Sequence, residues 1–175
     1  MAKQEIGDLE EIRQKLEGWL ASRIPNVEDF TLGELNFPEF SGESSVTLIM
    51  EANWQEAGRA RHERFVLRMA PIISQVFETH DLKLQYQLME VMNKEGIPAP
   101  SLVGYEPDSS LLGSDFYVMD FVDGIVPPDN PPMAFGSWVS ELTTEERATM
   151  WHNGCLLYTS PSPRDQRGSR MAACA

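Results

Sequence analysis

Few residues in this chain can handle a charged ligand, and Arg68 stands out among them. It interrupts the apolar run Phe65-Val66-Leu67-Arg68-Met69. A guanidinium there must either leave on the solvent face of a strand or point into a pocket that holds an anion. Strand alternation places it on the same face as the apolar Val66, which argues for the pocket. An arginine in that position offers a two-pronged fork to phosphate or carboxylate oxygens. The phosphate-binding pattern Gly-x-x-x-x-Gly-Lys-Ser/Thr is absent from the chain. His62, His80 and His152 do not cluster with carboxylates at ligand spacing, so they read as surface residues rather than metal ligands.

The elements that must position Arg68 follow from periodicity. Leu9, Ile12, Leu16, Trp19 and Leu20 recur at helical spacing among charged residues, so the chain opens with an amphipathic helix that Ile24-Pro25-Asn26 ends. From Phe30 to Met50 the pattern becomes short alternating runs around turn residues, and Val46 to Ala52 is β-branched and apolar. Charged and small residues after Trp54 lead to the run at Phe65, giving strand, loop, strand. Asp81 can cap a helix from Leu82 to about Lys94, with Leu82, Tyr86 and Met89 on one stripe and Leu84, Leu88 and Val91 on another. Apolar on most sides, that helix is expected to be largely buried. Gly96-Ile97-Pro98-Ala99-Pro100 stops it, and strands are expected at Leu102–Tyr105 and Phe116–Val122. After Gly124 and the proline-rich stretch Pro127–Pro132, Thr143-Thr144-Glu145-Glu146 starts a last helix. Strands and helices in this mixture make the class α+β.

The balance is acidic, with 14 Lys+Arg against 27 Asp+Glu and no basic cluster, which argues against a nucleic-acid partner. No apolar run approaches the ~20 residues that span a bilayer, and the N-terminus lacks the apolar core of a signal peptide. A cytoplasmic protein without membrane association is expected. Both cysteines, Cys155 and Cys174, lie where the composition turns abruptly to Ser, Pro, Arg, Gly and Ala. On composition alone that stretch is a disordered tail. Cys155 to Asp165 also back-translates onto the transposase adapter of short-read sequencing libraries, with Ser169-Arg170-Met171 matching its later constant segment. Residues 155–175 are therefore expected to be translated adapter, and no disulfide or metal site is read from the two cysteines. Without that tail 11 basic and 26 acidic residues remain, so the acidity belongs to the rest of the chain.

Taken in order, Phe65-Val66-Leu67-Arg68, Gln85-Tyr86, Gly96–Pro100, Leu112–Gly124 and Pro127-Pro128-Asp129 resemble the aminoglycoside phosphotransferase and choline kinase-like family, in particular the branch fused to acyl-CoA dehydrogenase-like domains. The resemblance runs from about residue 10 to 154. It implies a protein-kinase-like N-terminal lobe over residues 1–122, an antiparallel sheet with a packed helix plus the N-terminal amphipathic helix, then a hinge and the start of a second lobe over 123–154.

The same resemblance assigns roles. Ser41, Gly42, Ser44 and Ser45 belong to the turn that would cover the phosphates of ATP, the alternative being an ordinary hairpin turn. Arg68 would grip the α- and β-phosphates, or remain an exposed strand arginine. Gln85 stands where the family places a glutamate, so it would orient Arg68 without neutralising it, or be a partly buried helix amide. Met119, Asp120, Phe121 and Val122 would form the hinge, meeting adenine through backbone groups near Asp120 and Val122. The catalytic aspartate and the magnesium ligands are expected in a second lobe, because no His-x-Asp loop precedes Gly154 and Asp120, Asp123 and Asp129 come too early. The expectation is an ATP-binding fragment of an enzyme that phosphorylates a small-molecule hydroxyl, inactive by itself. A non-catalytic α+β binding or interaction protein is the alternative.

Overall fold

The computed structural model describes residues 7–38, 45–70, 81–126 and 136–159, with backbone alone for 157–159. Helix α1 (Leu9–Arg23) starts where the Asp8 carboxylate accepts the Glu10 N–H, and it stops at Ile24, whose N–H still donates to Leu20 O. Its stripe of Ile12, Leu16, Trp19 and Leu20 is buried against a sheet. The sheet is antiparallel and five-stranded, in the order β1 (Val27–Leu32), β2 (Val46–Glu56), β3 (Arg59–Met69), β5 (Phe116–Asp120), β4 (Leu102–Glu106). The fold is thus the expected α+β arrangement of helices on an antiparallel sheet. α1 also closes the end of β1: Leu32 donates its N–H to Glu17, and its carbonyl accepts from Arg13, each at 2.9 Å.

Alternation sorts the sheet into two faces. Val46, Leu48 and Met50 of β2, Phe65, Leu67 and Met69 of β3, and Phe116 and Val118 of β5 point toward α1 and make the core. Ser45, Thr47 and Ile49, then Val66 and Arg68, then Tyr117 and Met119 line the opposite face in register. The two faces therefore separate stability from candidate chemistry.

Two elements differ from the sequence reading. The loop expected between Trp54 and Phe65 is the outer half of a continuous hairpin, turned by Ala57 and Gly58 at φ 51° and 73°. Positive φ at both central residues is the signature of a two-residue turn whose twist suits the strands. Charged residues fill that half because both its faces are exposed from Arg59 to Glu63.

Helix α2 (Leu82–Lys94) forms as expected, with Leu84 N–H donating to the Asp81 carboxylate, but it is not largely buried. Leu82 is buried, whereas Leu84, Leu88 and Val91 are 50–56% exposed. Tyr86, on the Leu82 stripe, packs on Tyr105 and Tyr117 at 5.7 and 6.1 Å between ring centroids. One stripe thus meets the sheet, and the other has no neighbour among the described residues that would bury it.

The chain divides into two compact units, Met1–Val91 with Pro100–Asp123, and Met92–Ala99 with Gly124–Ala175. The second contains α3 (Trp138–Glu141) and α4 (Thr144–Thr159). α4 begins as the sequence predicts, in a reciprocal cap where Glu146 N–H donates to Thr143 Oγ1 and Thr143 N–H donates to the Glu146 carboxylate. It continues through Thr159, so Cys155–Thr159 are helical rather than disordered, and 160–175 lies outside the described residues. Among the described residues no helix is long and apolar enough to cross a membrane.

Candidate functional site

Arg68 lies mid-sheet on the face turned away from α1, flanked in register by Thr47 of β2 and Tyr117 of β5. Its Nη2 donates to Ser45 Oγ at 2.5 Å. Its Nε is buried, and among the described residues it has no hydrogen-bond partner and no carboxylate pairs with the guanidinium. Ser45, only 5% exposed, closes one side of the guanidinium. A cation held in a half-buried place with an unused donor is poised for an anionic ligand. Of the turn before β2, Ser45 alone is described; Ser41, Gly42 and Ser44 lie outside the described residues, as do Asp129 and Pro127–Pro132.

Gln85 is exposed on α2 and does not meet Arg68. The hydroxyl of Tyr117 takes the place expected of it, donating to Gln85 Oε1 at a long 3.5 Å and lying beside the Arg68 guanidinium. Burial raises the Tyr117 hydroxyl above its ordinary pKa, while Arg68 pulls the other way, so it stays a neutral donor. Sequence reading missed Tyr117 because only the pairing of β3 with β5 brings residues 49 positions apart together. The tyrosine in Phe116–Asp120 was visible, but its neighbour was not. Next to Arg68 on the same face, Ile49, Val66 and Met119 make a half-buried apolar strip in register across three strands.

The strip ends at the last residues of β5. Asp120 N–H donates to Ser101 O and Phe121 N–H to Arg64 O, each at 2.9 Å, so neither is free for a ligand. Val122 follows past the end of β5. The Val122 side chain is 63% exposed there. Met119 and Asp120 thus end β5 between β3 and β4, and Phe121 and Val122 follow past the strand, next to the apolar strip. The histidines lie elsewhere: His62 bonds Asn53 on the exposed hairpin, His152 is exposed on α4, and His80 is outside the described residues. Among the described residues no three His, Cys, Asp or Glu converge to hold a metal ion.

No family model matches the chain. Among curated proteins it is similar to acyl-CoA dehydrogenase family member 11 of Gallus gallus, 29% identical over 62% of this chain and 13% of that protein. It is also similar to acyl-CoA dehydrogenase family member 10 of Mus musculus, 28% identical over 41% of this chain and 7% of that protein. The chain therefore spans 13% or less of the length of these relatives. Among solved structures it is similar to a Ralstonia eutropha protein assigned as an aminoglycoside phosphotransferase, at 26% identity and a TM-score of 0.42, over 65% of this chain and 28% of the other. The curated names are those of the acyl-CoA dehydrogenase branch that the sequence resemblance pointed to.

Proposed function

We propose that this chain is the nucleotide-binding part of an ATP-dependent phosphotransferase that acts on the hydroxyl of a small molecule. The observation that carries the reading is Arg68: a cation whose buried Nε has no partner and which has no carboxylate beside it among the described residues, in a protein of net charge −13. Its fork, with Ser45 next to it, suits phosphate oxygens. Ile49, Val66 and Met119 suit the flat apolar faces of a purine, and the Asp120 carbonyl and Val122 N–H suit its edge. Bound ATP would bring the transferable phosphoryl group, and the residues assigned here bind and orient it. The aspartate that would position the acceptor hydroxyl and the ligands for magnesium are not among them.

A nucleotide titration of the full chain tests the reading. Loss of a charge-assisted contact to phosphate is worth ~1.5–3 kcal/mol, so Arg68→Ala should weaken ATP binding about 10- to 100-fold. Gln85→Ala, removing an exposed side chain that reaches the site only through Tyr117, should stay within about twofold. Equal affinities for the two variants would sink the assignment.

A further inference from the structure

Arg64 and Asp123 have no part in the reading so far, although they sit at its edge. Arg64 shares the Arg68 face of β3, four residues and about 13 Å further along the strand. Its Nη2 donates to the Asp123 carboxylate at 2.5 Å, its guanidinium carbon lies 4.2 Å from the centroid of the Phe121 ring, and its carbonyl accepts the Phe121 N–H at 2.9 Å. Three contacts from one residue thus hold the backbone on both sides of Val122, whose side chain is exposed. Beyond Asp120 the chain has left β5, and no ladder of its own fixes it there. The separation from Arg68 also fits a nucleotide laid along β3, with its phosphates at one arginine and its base near the other.

We infer that Arg64, Phe121 and Asp123 form a latch that presents Val122 to the edge of a purine base, making Arg64 a positioning residue for the base end of the site. The inference rests on the nucleotide reading above and gives Asp123 a structural duty in place of metal binding. It separates two ligand chemistries: ATP needs the base end, whereas inorganic tripolyphosphate needs only Arg68 and its surroundings.

The test is titration of the full chain with both ligands. Arg64→Ala should raise the Kd for ATP about three- to tenfold and leave that for tripolyphosphate within about twofold. Asp123→Asn, an isosteric change at an exposed side chain, should shift ATP the same way by about two- to threefold. Arg68→Ala should weaken both ligands. Unchanged ATP affinity in Arg64→Ala and Asp123→Asn, with Arg68→Ala still weakening both ligands, overturns the latch and leaves the nucleotide site standing. Equal loss of both ligands in Arg64→Ala overturns it as well. If Arg68→Ala affects neither ligand, the nucleotide reading fails and the latch with it. Should Arg64→Ala not fold, Asp123→Asn decides alone.

Discussion

Replacing Arg68 with methionine should leave the ligand-free protein about as stable as before while cutting its response to nucleotide to about half or less. The guanidinium has one buried donor, Nε, without a partner among the described residues, and leaving such a group unsatisfied costs ~1–3 kcal/mol. Against this stands the charge-assisted bond from Nη2 to Ser45 Oγ, worth ~1.5–3 kcal/mol. Methionine keeps the unbranched stem that packs beside Val66 and Tyr117. The two contributions nearly cancel, so the expected change is within ~1 kcal/mol either way. Adding Ser45→Ala removes the deserted hydroxyl, and the double variant should gain ~1 kcal/mol over the single one. If Arg68 instead held the sheet together as a satisfied buried charge, its loss would cost ~3–5 kcal/mol. Urea unfolding followed by tryptophan fluorescence separates these outcomes. ATP at a hundred times the parent's Kd should stabilise the parent protein by ~2.7 kcal/mol and Arg68→Met, with its ~10- to 100-fold weaker affinity, by only ~0.4–1.4 kcal/mol. A ligand-free loss above ~3 kcal/mol, or nucleotide stabilisation undiminished in the variant, would refute the reasoning.

Two further expectations concern the face toward α1. Leu16→Ala empties a fully buried site between α1 and the sheet, and denaturant titration should show a loss of ~3–5 kcal/mol. Glu106 is held below the ordinary carboxylate range, first by the Trp19 indole N–H, then by the Asp108 N–H and by Arg23. A depressed folded pKa contributes stability that is complete above the unfolded value and drains away as pH falls through the lower folded one. Glu106→Gln should therefore flatten the acid limb of the stability curve, read as Tm against pH, and an unchanged limb would remove Glu106 from that account.

What the sequence made legible was local. The α1 stripe, the start of β2 at Val46, the Asp81 cap and the Thr143–Glu146 cap all depend on neighbours within a few residues, and they appear where periodicity and capping rules put them. Arg68 and Val66 share a face, as alternation requires. Less legible was what lies across each face. The two stripes of α2 were visible, but only the pairing of β4 and β5 decides that Tyr86 finds Tyr105 and Tyr117 while Leu84 and Leu88 find no cover. The exchange of Gln85 for Tyr117 beside Arg68 has the same origin, a cross-strand register that no local spacing encodes. The hairpin around Ala57-Gly58 was missed because its charged residues look like loop, and turn geometry alone keeps them in register.

The bond between the Trp19 indole and Glu106 joins residues 87 positions apart, and Trp19 also meets the Phe116 ring edge-on at 5.0 Å. During synthesis α1 emerges first but must wait for β4 and β5 before its apolar stripe has a complete seat. At 5–20 residues per second that interval is about 4–17 s. For so long the nascent chain carries Leu16, Trp19 and Leu20 with part of their partner surface unbuilt. Its most vulnerable period is therefore on the ribosome, and substitutions in β4 should lower yield in cells more than the stability of the finished fold would suggest.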